Sequence, residues 1–341
     1  MDPRLAAVIT TQGLITRGQA LDLGLSPGEV RRLLRHREWL PLRRGIYTTR
    51  AHWESLDVHV GRPRLLAVAA GMAATRGWVL SHDSACHLLG LPVLRTEPTL
   101  VHLTRPGWTN AWTEYGIRHH LAGFEQHQVV EVDGVRALDL ARTAVDMARE
   151  HGLKAGLVSC DAAMRRGVTT RDLEAAYARM TSWPGIRTAR TAVDLADPGA
   201  ESPLESLARE LVVEAGIGIP DTQFPVKTSR GLYWADLQVG NHVVEADGEI
   251  KLRAVTDGGV AGDPRRSLHE EKLRERALAD RGLVVTRVVW EDIWGRRRTE
   301  AITRLRRDHA ESVERFGPAV SPGLAQEAVE LRRRYGDRRG A

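Results

Sequence analysis

The sequence predicts an α/β protein with several domains, and three observations support this fold class. At 341 residues the chain exceeds one ordinary domain and can bury more than one core. Strand-like and helix-like patterns alternate along most of it. Arginine is concentrated near both ends, with eight Arg against three acidic residues in 16–50 and twelve against seven in 295–341. The net charge of +5, placed in this way, permits a polyanionic partner.

Composition argues against a membrane protein and a disulfide-rich protein. The apolar run 65–74 is shorter than the roughly 20 residues that a membrane span needs, and no leader-like pattern opens the chain. Cys86 and Cys160 are the only cysteines, which fits neither a disulfide framework nor a zinc-cysteine site. We therefore expect a cytoplasmic protein.

Changes in composition along the chain predict the domain boundaries. Residues 183–203 are rich in Gly, Pro and Ala and precede a sharp helix start, which places the last boundary near 197. The predicted order is a DNA-binding domain over 1–60, an α/β middle domain over 61–196, a third domain over 197–295 and a basic C-terminal tail over 296–341.

Two short helices and a hairpin are predicted near the N-terminus. Thr16 can cap a helix over 17–23, and Ser26 with Pro27 can open a second helix. That helix and the following "WLPLRRGIY" hairpin carry five arginines: Arg31, Arg32, Arg35, Arg43 and Arg44. A winged helix-turn-helix has this order and places its second helix in the DNA major groove. DNA binding through these arginines is the prediction, and a packing module without a ligand is the alternative.

The middle domain is predicted from its alternating patterns. The expected elements are a helix near 63–75, strands near 99–104, 115–121 and 127–132, and helices near 138–151, 155–166 and 170–181. The histidines of this region are His82, His87, His102, His119 and His120. No pair has ligand-like spacing on a shared face, so we interpret them as satisfied or exposed histidines and not as metal ligands.

The strongest chemical signal is the segment "GLYWADLQVGNHVVEADG", residues 231–248. A Gly240-Asn241 turn would pair Val239 with His242, and continuing this register would place Asp236 opposite Glu245. Because side chains alternate along a strand, Asp236, Glu245 and Asp247 would share one face. Directly opposed like charges destabilise a sheet, and a divalent cation would turn this repulsion into coordination.

A similar frame, "VVEVDGVRA", occurs at residues 129–137. The positions that match Asp236 and Lys251 are occupied by Ala122 and Ala137 in this copy. We therefore interpret 129–137 as an ordinary hairpin and 243–251 as a site.

Two helices flank the predicted site in the sequence. The first begins in "ESPLES", where Ser202 and Glu205 form a capping-box pattern, and Glu205 can serve the cap, the site or both. The second is the charged helix "HEEKLRERALADRG", which carries Lys272 and ends at Gly282.

The segments "ESPLES", "ADLQV", "VVEADGEIK", "HEEKLRE" and "LVVTRVVWEDIW" together resemble the PD-(D/E)XK nuclease superfamily, in the branch similar to very-short-patch-repair endonucleases. The resemblance covers roughly 201–294 and implies a restriction-endonuclease-like αβββαβ domain. It implies that Asp236 and Glu245 hold Mg²⁺ or Mn²⁺ and that Glu205 lies near the metal. The usual Glu-x-Lys is replaced by Glu245-Ala246-Asp247, so Lys251 or Lys272 would supply the positive charge.

The whole order of domains looks like actinobacterial proteins with an AbiEi-family antitoxin domain, from abortive-infection systems. That resemblance implies DNA binding and transcriptional autoregulation, with a cognate toxin as a partner. Two functions follow as hypotheses: a Mg²⁺-dependent DNA endonuclease with Glu205, Asp236, Glu245, Asp247, Lys251 and Lys272 as catalytic candidates, or a non-catalytic repressor or antitoxin.

Overall fold

The computed structural model describes residues 8–9, 11–74, 77–94, 100–107, 110–248 and 264–336, and only the backbone over 264–271. The described residues form two compact units. One consists of residues up to 159 together with 171–190, and the other consists of 160–170 with the residues from 191 onwards. Both units combine helices with β-sheet, so the predicted α/β fold class is confirmed. In the described part of the chain, no helix is both long and apolar enough to cross a bilayer.

The N-terminal region contains a small sheet and short helices. The strands β1 to β3 lie in the order β1-β3-β2, and the elements are β1 (Ile15–Thr16), α1 (Arg17–Asp22), α2 (Pro27–Arg35), β2 (Trp39–Arg43), β3 (Ile46–Thr49) and α3 (Arg50–Ser55). Thr16 Oγ1 accepts a hydrogen bond from the Gln19 amide at 3.1 Å, and Ser26 Oγ accepts one from the Glu29 amide at 3.2 Å. Both are reciprocal capping boxes, which fix where the two helices begin.

The helix α2 buries one side and exposes the other. Val30 packs with Ile15, Ala20, Trp39 and Tyr47 in a local core. Burial of this apolar stripe orients the helix, and its polar residues face outward as a result.

A second sheet lies in the same unit, with the strand order β6-β7-β5-β4-β9-β8. Its elements are α4 (Gly61–Ala73), β4 (Val79–Leu80), α5 (His82–Leu89), β5 (Val101–Arg105), β6 (Asn110–Glu114), β7 (Ile117–Leu121), β8 (Val129–Val132), β9 (Val135–Leu138) and α6 (Leu140–His151). The pairs β5–β7 and β4–β9 are parallel, and the other pairs are antiparallel. The helices that follow are α7 (Leu153–Arg165), α8 (Thr170–Tyr177) and α9 (Ile186–Asp194). Each helix and strand predicted for 61–196 is present with bounds close to those expected, whereas β4, α5, β6 and α9 were not predicted.

The strands β8 and β9 form the hairpin expected at 129–137. Asp133 and Gly134 at its turn have positive φ angles of 53° and 73°, as a two-residue hairpin turn requires. Glu131 is paired with Arg136 across the ladder, so its charge has an oppositely charged neighbour. The interpretation of this copy as an ordinary hairpin is consistent with that pairing.

The second unit is built on a four-stranded sheet with the order β10-β11-β12-β13. Its elements follow the order helix, three strands, helix, strand: α10 (Pro203–Ala215), β10 (Asp221–Thr228), β11 (Gly231–Val239), β12 (His242–Ala246), α11 (Pro264–Ala279) and β13 (Val284–Val288). The first three strands are antiparallel, and β13 is parallel to β12. Phe224, Val226, Ala235 and Val243 pack on one core with Leu278 of α11.

Two further helices, α12 (Gly295–Phe316) and α13 (Pro322–Tyr335), occupy most of the predicted basic tail. Both contact the sheet. Asn241, in the turn between β11 and β12, donates from Nδ2 to the carbonyl oxygens of Gly317 and Ala319 at 3.1 and 2.8 Å. A Cβ on Gly240 would lie 2.5 Å from the Pro318 carbonyl oxygen, so this approach requires glycine. The turn therefore anchors the segment between the two helices.

Candidate carboxylate site and basic helix

The hairpin of β11 and β12 has the register that the sequence predicted. Leu237 pairs with Val244, Gln238 with Val243 and Val239 with His242. Gly240 has a φ of 58°, the conformation that the first central position of such a turn requires. The predicted ladder pairs are therefore confirmed up to Leu237, and Asp236 lies one step beyond the last of them.

Asp236 connects the two strands past the end of the ladder. Its Oδ2 accepts a hydrogen bond from the backbone amide of Ala246 at 2.9 Å. A side-chain carboxylate thus takes a role that a backbone carbonyl has in a regular ladder. This contact fixes the position of Asp236 beside the end of β12.

Glu245 is the most constrained carboxylate of the hairpin. The Tyr233 hydroxyl donates a hydrogen bond to its Oε2, while its Oε1 is buried without a hydrogen-bond partner among the described residues. Burial raises the pKa of Glu245 and outweighs the opposing effects of the Tyr233 hydroxyl, the Asp236 backbone amide and the charges of Arg274 and Arg287. Burial and the adjacent Glu245 charge also raise the pKa of Tyr233 above its ordinary value. Tyr233 therefore remains a hydrogen-bond donor throughout the physiological pH range.

A cavity of about 230 Å³ opens at this end of the sheet. Its lining contains the three predicted acidic residues together with two arginines that the sequence interpretation did not select: Tyr233, Trp234, Asp236, Glu245, Ala246, Asp247, Arg274, Glu275, Leu278, Val285 and Arg287. The parallel pairing of β12 with β13 places Arg287 directly beside Glu245. The Arg274 guanidinium lies 5.2 Å from the centre of the Tyr233 ring. The cavity combines carboxylates with guanidinium groups.

Glu205 lies close enough to this site for its charge to matter. It is buried, and burial, followed by the charge of Asp236, raises its pKa to about 7. Its amide donates to Ser202 Oγ at 3.2 Å, as a helix cap does. Its carboxylate, however, accepts from the Glu201 amide at 2.7 Å, one residue before the position that a capping box uses. Glu205 is not among the described residues that line the cavity.

The lysines predicted to act here are not seen in the cavity. Lys251 lies outside the described residues. Lys272 is exposed on α11 and borders a different depression, together with Leu273 and Arg276. Within the described part of the chain, Arg274 and Arg287 supply the positive charge around the carboxylates.

The donor set is of the kind that binds a hard divalent cation. Carboxylate oxygens suit Mg²⁺ and Mn²⁺, and a buried carboxylate oxygen without a donor, such as Glu245 Oε1, is costly unless a cation or proton reaches it. Among the described residues, no three of Glu205, Asp236, Glu245 and Asp247 bring ligand oxygens within 4.8 Å of one another. An ion held by Asp236 and Glu245 would therefore keep water ligands, which Mg²⁺ commonly does.

The predicted DNA-binding arginines lie mostly on the surface. Arg31, Arg32, Arg35 and Arg44 are exposed. Arg43 differs because it is half-buried and donates from Nη1 to the Tyr115 carbonyl oxygen at 3.4 Å. The structure thus leaves four of the five arginines available to a ligand.

One family model matches the basic N-terminal region of this chain. Residues 3–49 match the family described as "Transcriptional regulator, AbiEi antitoxin". The matched range contains the elements from β1 to β3. It also contains all five predicted DNA-binding arginines, since Arg44 precedes its last residue. The match therefore coincides with the segment that carries the exposed positive charge.

Two proteins of Mycobacterium tuberculosis are similar to this chain over 186 residues at 30% identity: uncharacterized protein Rv2248 of strain H37Rv and uncharacterized protein MT2308 of strain CDC 1551. The match covers 53% of this chain and 60% of each relative, so the chain spans less than two thirds of their length. Their names state no activity.

Sequence reasoning missed Tyr233 and Arg287 as members of the site. Arg287 had a visible signal, since it is the one charged residue inside the apolar strand "LVVTRVVW". Tyr233 had none, because a tyrosine at a strand start is ordinary in a half-buried sheet. Its role depends on the tertiary contact with Glu245.

Proposed function

We propose that this protein is a DNA-binding transcriptional regulator of the antitoxin type, and that α2 and the β2–β3 hairpin form a winged helix-turn-helix that contacts duplex DNA. The observation that carries the proposal is the group of exposed arginines on α2, which lies within the range matched to a regulator family. A protein toxin as partner belongs to the same proposal, since the matched family is described as an antitoxin.

The electrostatics of α2 support this function. Exposed arginines remain hydrated in the free protein, and their charges are accessible to the phosphate groups of DNA. Arg32 and Arg35 lie in the last turn of α2, and Arg44 lies in the adjacent hairpin. Such groups position a recognition helix on the duplex, while base contacts provide sequence specificity.

Binding to the DNA upstream of the gene for this protein tests the regulator hypothesis. Full-length protein is titrated against that duplex and against an unrelated duplex of equal length and base composition, at several salt concentrations. We expect tighter binding to the upstream duplex, which persists at salt concentrations that abolish binding to the control. Equal affinity for the two duplexes at every salt concentration would contradict a specific regulator.

A second function, metal-dependent hydrolysis of DNA, is favoured by the carboxylate cavity. The order of α10, β10, β11, β12, α11 and β13 supports the assignment of this region as a PD-(D/E)XK endonuclease-like domain. Asp236 and Glu245 would hold Mg²⁺ or Mn²⁺. When bound, such an ion polarises a phosphoryl oxygen and activates water.

The protein groups around the cavity have definable roles in this second function. Tyr233 holds the orientation of Glu245 through its hydroxyl. Arg274 and Arg287 would neutralise charge on a phosphodiester that enters the cavity, in place of the expected lysine. Glu205 acts on Asp236 through its charge, because it does not line the cavity.

A cleavage assay decides whether the cavity is catalytic. Plasmid, duplex, single-stranded and mismatched DNA are incubated with wild-type protein and Mg²⁺ or Mn²⁺, in parallel with Asp236→Asn and Glu245→Gln. If the domain is a nuclease, both variants abolish cleavage and retain DNA binding, and Arg287→Ala lowers the rate by roughly 10²–10³. Absence of cleavage by the wild type on all four substrates with both metals would leave the regulator as the function.

The same assay tests the two lysine predictions. If Lys251→Ala lowers the cleavage rate by roughly 10²–10³ while Lys272→Ala leaves it unchanged, Lys251 supplies the charge near the scissile phosphate. Lys272 serves as the control for this comparison because it is exposed and borders another depression.

A further inference from the structure

Three histidines that are distant in the sequence meet inside the first unit. His82 is the first residue of α5, His102 lies on β5 and His120 lies on β7. The strands β5 and β7 are parallel neighbours, with Thr104 paired to His120. Because His102 and Thr104 are two residues apart on one strand, His102 and His120 lie on the same face of the sheet. The expectation that no pair of these histidines shares a face is therefore wrong for His102 and His120.

The distances within this histidine cluster are short. His102 Nδ1 lies 3.0 Å from His120 Nε2, and the rings of His82 and His120 stack with centroids 4.0 Å apart. One ring nitrogen from each of the three residues lies within 4.8 Å of the other two. Nitrogen ligands about 2.0–2.1 Å from a tetrahedral ion are separated from each other by roughly 3.4 Å. Modest rotation of the His82 ring would bring the trio to that separation.

The cluster is buried. His82, His102 and His120 are 4%, 5% and 7% exposed. Burial lowers the pKa of each of the three rings, and that of His102 falls to about 4. Neutral imidazole is the form that binds a metal ion. Imidazole nitrogens in this number suit Zn²⁺ and neighbouring transition metals and do not suit Mg²⁺.

Neighbouring polar groups contact the histidine rings in the way that residues supporting metal ligands do. Asp83 Oδ2 lies 3.5 Å from His102 Nε2 and 2.6 Å from His151 Nε2. This contact occupies Nε2 of His102 and leaves Nδ1 directed at His120. A carboxylate on the far nitrogen of a ligating histidine is the usual support in metal sites.

The backbone at His82 supplies an independent signal. Its φ angle is +47°, which is uncommon for a residue other than glycine and costs free energy. The Ser81 hydroxyl lies 2.9 Å from His82 Nδ1 and accepts a hydrogen bond from Thr104 Oγ1 at 2.7 Å. With Nδ1 engaged by Ser81, Nε2 remains to bind. The strained backbone therefore turns the His82 ring into the cluster.

We propose that His82, His102 and His120 bind one Zn²⁺ ion, which cross-links the start of α5 to strands β5 and β7. Asp83 is a positioning residue that orients His102. Three protein ligands leave a fourth coordination position for water.

Metal retention by the full-length protein tests this site. The Asp236→Asn/Glu245→Gln background removes the carboxylate site as a second binder. After treatment with EDTA, the protein is loaded with Zn²⁺, freed of excess metal and analysed by mass spectrometry for metal content. We expect about one retained equivalent, and we expect the visible absorption bands of four-coordinate Co²⁺ when Co²⁺ replaces Zn²⁺.

Variants assign the binding to the cluster. His120→Gln should lose the retained equivalent, and Asp83→Asn should weaken Zn²⁺ affinity by about 10–100-fold. His119→Gln is the matched control, because His119 is adjacent in sequence but stacks on Trp112 outside the cluster. If His120→Gln fails to fold, the Co²⁺ spectrum of the parent protein still shows whether a four-coordinate metal site is present.

Two outcomes would overturn the proposal. Absence of both Zn²⁺ retention and the Co²⁺ bands in the folded parent would show that the histidines form only a hydrogen-bonded network. Undiminished retention by His120→Gln would place the metal elsewhere.

Discussion

The basic helix α2 and the carboxylate cavity of the second sheet differ in how far their charged groups are exposed to water. Arg31, Arg32 and Arg35 are exposed, and water stabilises their charges until a ligand arrives. Glu205 and Glu245 are held in positions where burial raises their pKa values. The first region can bind a polyanion with little desolvation cost, whereas the second stores unfavourable electrostatic energy that a cation or a proton would relieve.

The largest expected effect comes from removing charge on α2. The triple variant Arg31→Ala/Arg32→Ala/Arg35→Ala should weaken duplex binding by about 10²–10³-fold near 0.1 M salt, because three phosphate contacts are lost. The slope of log affinity against log salt should become shallower by about three. Fluorescence anisotropy at several salt concentrations measures both quantities.

A second triple variant controls for total charge. Arg296→Ala/Arg297→Ala/Arg307→Ala removes three exposed charges from α12, in the other basic region of the chain. The affinity of this variant for the specific duplex should stay within twofold of the wild-type affinity (about 0.4 kcal/mol). Equal losses for the two triple variants would show that net charge, and not α2, determines DNA binding.

The next effect is a pH-dependent gain in stability for Glu205→Gln. The folded pKa of Glu205 is raised to about 7 from 4.5, so its contribution to stability is fully present below about pH 4.5 and is lost as pH rises through 7. Glutamine stays neutral and can still accept from the Glu201 amide. In EDTA, we expect Glu205→Gln to raise the free energy of unfolding by up to about 3 kcal/mol at pH 8 and to change it little at pH 4.

Urea unfolding at the two pH values measures this difference, with Glu314→Gln as an exposed control on α12. A loss of stability at pH 8 in Glu205→Gln would show that the carboxylate is stabilising in its charged form, contrary to the raised pKa.

Tyr233→Phe should have a smaller, destabilising effect. The change removes the hydroxyl that donates to Glu245 Oε2 and leaves a buried carboxylate without that donor. We expect a loss of about 1–3 kcal/mol in the free energy of unfolding without divalent metal. Tyr335→Phe, at an exposed tyrosine of α13, should cost almost nothing. If both variants unfold at the wild-type urea concentration, the Tyr233–Glu245 contact does not stabilise the fold.

Lys272→Ala should have the smallest effect. Lys272 is exposed and lies outside the described lining of the carboxylate cavity, so the free energy of unfolding should change by less than about 0.5 kcal/mol. The shift in melting temperature produced by Mg²⁺ should equal that of the wild type. A reduced Mg²⁺ shift in this variant would place Lys272 at the cavity and restore the sequence prediction.

Local patterns were enough to predict the elements that carry the site. Thr16 and Ser26 marked the starts of α1 and α2 because a cap is a contact over three residues. The Gly240-Asn241 turn fixed the register of β11 and β12 because a two-residue loop leaves one alignment. The order of elements from α10 to β13 also followed from periodicity, whereas α12 and α13 were expected only as a basic tail.

Long-range pairing was not predictable in the same way. Arg287 reaches Glu245 through a parallel pair whose strands are separated by a helix, and no short pattern encodes that register. The Glu205 carboxylate hydrogen-bonds the Glu201 amide, although the sequence pattern pointed to the Ser202 amide. The histidine cluster likewise needed the parallel pairing of β5 with β7.

By itself, the sequence determined the α/β class, the basic helix α2, and the register of the hairpin that carries the Asp236 and Glu245 carboxylates, since each depends on residues close together in the chain. Only the tertiary structure decided which charges surround those carboxylates and that His82, His102 and His120 meet. The physical reason is that burial and proximity across separate strands set pKa values and ligand geometry, and both arise from packing between distant segments.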